Sequence, residues 1–228
     1  RNSGPWAKVG EAPFPDYAAA PTGTPFDSNA TDHQVAMPST VDADDLLICL
    51  FANDGSATVT EPSGWSTLFS TANGSAVRFS AYAKKAVGNE DSTTVNFVTS
   101  AGERAVGQVY RIPANRWSGT IGDIQVGTSA TGTGTAPNPP SVTPAATRDW
   151  LIIACYGADD DDDASAYPTN YGVQQNYAQS GSGTESASLG SASRQLRTGS
   201  AQDPGAFTIA ASEEWVAQTI LIPPPAVT

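Results

Sequence analysis

Histidine occurs once in these 228 residues, at His33, and cysteine twice, at Cys49 and Cys155. That scarcity rules out a structural zinc site, which needs four His or Cys ligands. A Ser-His-Asp machine would have only His33 to use, in a chain without a G-x-S-x-G nucleophile elbow. Walker A and dinucleotide fingerprints are missing too, the glycines standing in turns between apolar runs. Cations are few: 11 Lys and Arg stand against 23 Asp and Glu, a net charge of −12. Such a chain repels phosphate backbones and anionic lipid, so nucleic acid is not an expected partner. Apolar runs reach about six to eight residues, the length of buried strands and far short of the ~20 that a membrane helix needs. A soluble protein without membrane insertion is expected. No signal-peptide n-region or h-region and no initiator methionine open the sequence, which starts at Arg1, as expected of a processed or trimmed form.

What the chain does have is a duplication. FVTSAGERAVGQVYRIP, Phe97 to Pro113, aligns without gaps on FTIAASEEWVAQTILIP, Phe207 to Pro223, at an offset of 110, with Phe, Ala, Glu, Val, Gln, Ile and Pro matched. Upstream, with small gaps, DLLICLFANDG (from Asp45) answers DWLIIACYGADD (from Asp149), and PSGW (to Trp65) answers PTNY (to Tyr171). Two copies are too few for a solenoid and point to two similar sandwich halves or domains related by a pseudo-twofold. Both cysteines lie inside apolar runs, where a free thiol packs as a small hydrophobe. The other reading is a disulfide between matching strands, which needs Cα atoms within about 7 Å.

Periodicity supplies the elements. In AVRFSAYAKK, Val77, Phe79, Ala81 and Ala83 alternate with Arg78, Ser80, Tyr82 and Lys84, the period of two of a strand buried on one face. LLICLF and WLIIACY are apolar on both faces and read as central strands. NDGS, EPSGW, NGS and VGNED supply turn residues, and no helical stripe of apolar residues occurs. Strands are expected at 33–37, 46–52, 57–60, 65–69, 76–84, 93–98 and 105–112, then at 140–143, 150–157, 171–176, 185–196, 205–210 and 214–222. The predicted fold is all-β: an antiparallel β-sandwich of jelly-roll or immunoglobulin-like type, internally duplicated. Residues 1–30, rich in proline and without alternation, read as an extended N-terminal arm. Trp6, Phe14, Tyr17 and Phe26 would anchor it against this chain or a neighbour. A first sandwich repeat follows at 31–118, then a flexible joint at 119–140 with one strand candidate, IGDIQV, and a second repeat at 141–228.

Candidate sites are sparse. Asp159 to Asp163 form an acidic loop after a buried strand. Asp159, Asp160 and Asp161 could offer oxygen ligands to Ca²⁺, although the spacing is not that of an EF-hand and a solvated acidic loop is the simpler reading. The first copy has only Asn53, Asp54 and Gly55 at the matching place, so a metal site would be peculiar to the second. Otherwise no cofactor is expected. Glu103, Glu185, Glu213 and Glu214 are the carboxylates a sandwich glycosidase would draw on, but Glu103 and Glu213 are equivalent by the repeat, which favours a structural role. Tyr82, expected to point outward, and Trp117, at the joint, are the candidates for sugar stacking. Trp65 and Tyr171 suit core plugs, and Gln108 and Gln218 suit hydrogen-bonded amides within the last strands.

The succession DADDLLICLFANDGS, EPSGWSTL, VRFSAYAKKAVGNEDSTTVNF, GTGTAPNPPSVTP, RDWLIIACYGADDDD and ASEEWVAQTILIP resembles repeat-containing virion structural proteins of tailed bacteriophages over about residues 30–223. It is a likeness of style, low in charge and rich in Ala, Gly, Ser and Thr. The resemblance implies a non-enzymatic β-sandwich on the virion surface, extracellular, serving as capsid decoration, fibre or tail component. Its partners would be other virion proteins, further copies of itself and a host surface glycan. A carbohydrate-binding adhesive module and a polysaccharide-active sandwich enzyme are the alternatives.

Overall fold

The structure is a computed structural model that describes residues 12–160 and 163–226. The first copy runs through β1 (Thr22–Ala36), β2 (Leu46–Asp54), β3 (Val59–Thr60), β4 (Ser66–Asn73), β5 (Val77–Lys85) and β6 (Thr94–Ile112). Two short 3₁₀ turns, at 114–116 and 121–123, lead to β7 (Gln125–Val126). The second copy runs through β8 (Ala130–Gly134), β9 (Arg148–Asp159), β10 (Ala164–Ala166), β11 (Gln174–Gln179), β12 (Ala187–Thr198), β13 (Thr208–Ile209) and β14 (Glu213–Ile222).

Pairing is antiparallel throughout, and the duplication is written in it. The first sheet has the order β1-β6-β2-β5-β4; the second reads β11-β12-β9-β14, with β7 and β8 both on the outer side of β14. Read from β8, the second is β8-β14-β9-β12-β11, the same sequence of elements. β3 joins the first half of β6 through Val59↔Thr99 and Thr60↔Val98. Its counterpart is β10 on β13, through Ala164↔Ile209 and Ala166↔Thr208, again at the repeat offset. The long β6 is therefore one strand where the second copy has two.

Each central strand is apolar on both faces because it serves two cores. Leu46, Ile48, Leu50 and Ala52 of β2 and Leu151, Ile153 and Cys155 of β9 meet in a joint core between the sheets. Leu47, Cys49 and Phe51 turn the other way, into a core private to the first copy, as Trp150, Ile152, Ala154 and Tyr156 do in the second. What covers those outer faces is the sheet itself. Phe51 is opposite Gly107 on the β6 ladder, yet its ring stacks on Phe97, 5.4 Å away, ten residues earlier on the same strand. The first half of β6 thus folds back over the sheet. In the second copy Tyr156 is opposite Ala217 and its ring meets Phe207 at 4.9 Å, the same ten-residue fold-back. Each repeat encloses a core of its own, and the two bodies are joined face to face by a third.

Several expectations are corrected by this arrangement. Residues 22–30, assigned to the arm, are the first part of β1, paired with β6 from Thr22↔Val109 to Ala30↔Glu103. The joint at 119–140 holds β7 and β8, and β8 is the first strand of the second repeat. Residues 22–30 and β8 were invisible because an edge strand needs no apolar alternation of its own, whereas β7 falls within IGDIQV, the strand candidate of the joint. The expected strand at 140–143 is a single bridge, Val142↔Gln202. Tyr82 does not point to solvent: the fold-back places Phe97 over it at 5.2 Å and leaves it 1% exposed. Trp117 is likewise 1% exposed, packed in the joint core with its indole N–H donating to the Asp44 carbonyl at 3.0 Å. Cys49 and Cys155 are free and buried, and they face different cores, which removes the disulfide reading.

Candidate functional site

Hydrophobic alternation runs out at one end of the joint core, and carboxylates continue it. On β2 the positions facing the partner sheet are Leu46, Ile48, Leu50 and Ala52, so the next is Asp54. On β9 they are Leu151, Ile153, Cys155 and Gly157, so the next is Asp159. Ladder registers make the two equivalent: Leu50 lies opposite Gln108 and Cys155 opposite Gln218, an offset of 105 that carries Asp54 onto Asp159. The pseudo-twofold therefore sets two copies of one carboxyl face to face. They share a hydrogen bond, and both are held above the usual carboxylate range. Burial is the first cause in each case; the charge of Asp160 adds to it for both, the Asp54 charge for Asp159 and the Glu185 charge for Asp54, and Asp159 is pushed up to about 7. Two carboxyls in contact share one proton, because both cannot ionise in a poorly solvated site.

Other acids gather around this pair. Glu103 is raised by burial and then by the Asp54 charge, and it lies against Gly55. Asp159, Asp160 and Glu213 bring carboxylate oxygens within 4.8 Å of one another, a donor set suited in kind to a hard cation that takes six to eight oxygens. Asp161 lies outside the described residues. Arg104 reaches in with contacts of 3.5 Å to Asp27 and 3.7 Å to Glu185, pairs with exposed carboxylates that contribute little. The three clustered carboxylates all come from the second copy, while the first contributes Asp54 to the pair beside them. The signal for Asp54 was the repeat register, one residue out of step with the ungapped alignment of the two strands.

The remaining nominated residues separate. Glu214 meets Thr133 Oγ1 at 3.4 Å. Buried His33 sits edge-on between Phe26 (5.0 Å) and Phe51 (5.5 Å), its Nε2 3.1 Å from Thr99 Oγ1. Burial holds its pKa below the ordinary value against the opposing charge of Asp32. Gln218 donates to the Gly127 carbonyl and Ser129 Oγ at 3.0 and 3.1 Å, and Gln108 accepts from the Tyr110 hydroxyl at 2.9 Å. That hydroxyl also meets Ser191 Oγ of the other sheet and accepts from Asn176 Nδ2 at 3.4 Å. This polar tie across the joint core escaped the sequence reading, although Tyr110 shares the inward face of β6 with Gln108.

Among the arm anchors, Tyr17 packs on the joint core with its ring 5.2 Å from Tyr110. Phe26 belongs to β1, and the Phe14 carbonyl lies 3.5 Å from the Arg116 guanidinium. Trp6 lies outside the described residues. Among the described residues, shallow pockets of about 210 Å³ beside Ala18–Ala20 and Arg111 and about 240 Å³ beside Arg148 and Trp150 are below the ~300 Å³ at which small-molecule sites begin. No family model matches the chain, and no curated protein or solved structure matches it either.

Proposed function

We propose that this chain is a non-enzymatic structural protein of a virion surface, a capsid decoration, fibre or tail component of a tailed bacteriophage, working in many copies beside other virion proteins. The observation that supports it best is the use the fold makes of its conspicuous side chains. Tyr82, Trp117, Trp65 and Tyr171, the rings weighed for ligand stacking, are all buried. They are spent on three stacked cores that make a duplicated, filled body. A net charge of −12 keeps such a body dispersed at high local concentration.

The polysaccharide-enzyme reading finds less support. Its acid and base must stand about 5 to 10 Å apart with sugar between them, whereas Asp54 and Asp159 are in hydrogen-bond contact. A glycan-binding reading has lost the two rings nominated for it. The deciding experiment is quantitative mass spectrometry of purified tailed-phage particles whose genome encodes this chain, with antibody labelling of intact particles under the electron microscope. Peptides of this chain at many copies per particle, with label on the outside, are the expected result. Peptides found only in the lysate that leaves particles behind would overturn the proposal.

A further inference from the structure

Residues 12–18 lie as a strap across the side of the joint core, and their seat is built from both copies. The Ala18 N–H donates to the Arg111 carbonyl at 2.9 Å. The Pro15 carbonyl accepts from Gln195 Nε2 at 2.8 Å and the Phe14 carbonyl from Arg116 at 3.5 Å. Tyr17 fills the slot beside Tyr110. Arg111, Arg116 and Tyr110 belong to the first copy and Gln195 to the second. β1, directly after the strap, pairs with β6 at eleven register positions, so the two segments differ sharply in how firmly they are held. Between them stand Ala19 and Ala20, exposed, where the chain can turn without disturbing β1.

Pro15 fixes its own φ and biases Phe14 before it to extended backbone, so the free strap is already extended and gives up little entropy on docking. A second copy carries the same segment and the same seat. Exchange would keep every one of these contacts, which makes it a low-cost route to association. We propose that the strap passes between copies: Pro13–Tyr17 of one chain occupies the seat on a second copy of this chain. This stands on the strap geometry alone and does not depend on the virion reading. With −12 on each copy, repulsion opposes the approach, and exchange rises as salt screens it.

The test uses full chains carrying single cysteines at exposed positions that flank the Phe14–Arg116 contact, P13C in one preparation and N115C in the other. The native Cys49 and Cys155 are fully buried and stay out of reach of a short bismaleimide. The double variant P13C/N115C, dilute, is expected to cross-link within one chain. The mixed single variants, concentrated and in moderate salt, are expected to give a cross-linked heterodimer, with a yield that falls about tenfold, the effect of ~1.4 kcal/mol of lost docking, when the P13C chain also carries Tyr17→Ala. No heterodimer beside a normal intramolecular cross-link overturns exchange. A heterodimer indifferent to Tyr17→Ala overturns it as random collision, and failure of the intramolecular cross-link overturns the seat itself.

Discussion

Asp159 titrates the wrong way for stability at neutral pH. Its folded value, about 7, lies above that of a carboxyl in the unfolded chain. The folded state therefore holds the proton more tightly, and the stabilisation is complete below the ordinary carboxylate range and lost as pH rises through about 7. Asp159→Asn removes the charge that must otherwise be accommodated beside Asp54. At pH 8 the variant is expected to unfold roughly 2–4 °C higher than the parent, the shift that ~1 kcal/mol produces in a chain of this size after solvent screening. At pH 4 the two should melt together; thermal unfolding at both pH values checks this. Glu90 behaves in the opposite sense. Burial would raise its carboxyl, but the N–H groups of Val87, Asn89 and Gly88 together with Lys84 outweigh it and bring the value down to about 2. Three backbone donors lie 2.9 to 3.2 Å away, and Lys84 Nζ is at 2.9 Å. This stabilisation is present above the ordinary range and fades as pH falls toward 2. Glu90→Gln is expected to cost about 2 kcal/mol at pH 7 in denaturant titration and almost nothing at pH 2.

At the scale of the element, the close approach of the sheets has one narrow point. A Cβ on Gly157 of β9 would stand 2.8 Å from Phe79 Cβ and its ring, and Phe79 is rooted in β5 with no slack to give. Gly157→Ala is therefore expected to destabilise by about 1–3 kcal/mol, the ordinary cost of overpacking, measured by urea unfolding. The equivalent first-copy position, Ala52, already carries the methyl group. The fold-back of β6 is the other decisive element. Alternation could show that residues 93–98 and 105–112 are both strands, but not that the segment between them continues the strand, because Thr99–Arg104 is polar. Continuity comes from β1, which accompanies β6 along both halves with irregularities between Phe26 and Asp32. Residues 22–30 of β1 and all of β8 carry the composition of an arm and a joint because an edge strand is specified by the neighbour it pairs with, not by apolar residues of its own.

For the whole molecule the joint core makes the two copies interdependent, since neither inner sheet face is covered without the other. Unfolding is expected to be a single transition with equal calorimetric and van't Hoff enthalpies. Phe97→Ala and Phe207→Ala, in equivalent private cores, should each lower that one midpoint, at a cost of about 3–5 kcal/mol, without splitting it in two. A scan that resolves two transitions would mean that each repeat stands alone. Sequence by itself determined the all-β class, the two copies, the central strands and the equivalence of Glu103 with Glu213 and Gln108 with Gln218, because periodicity and repetition are properties of the chain. It also marked the acidic loop after β9. Only the tertiary structure decided that Tyr82 and Trp117 are buried, that Asp54 faces Asp159, and that the strap lies on both copies. Those outcomes depend on what covers a strand's second face, and here the cover comes from residues fifteen to more than a hundred positions away, brought there by the fold-back of β6 and the pseudo-twofold.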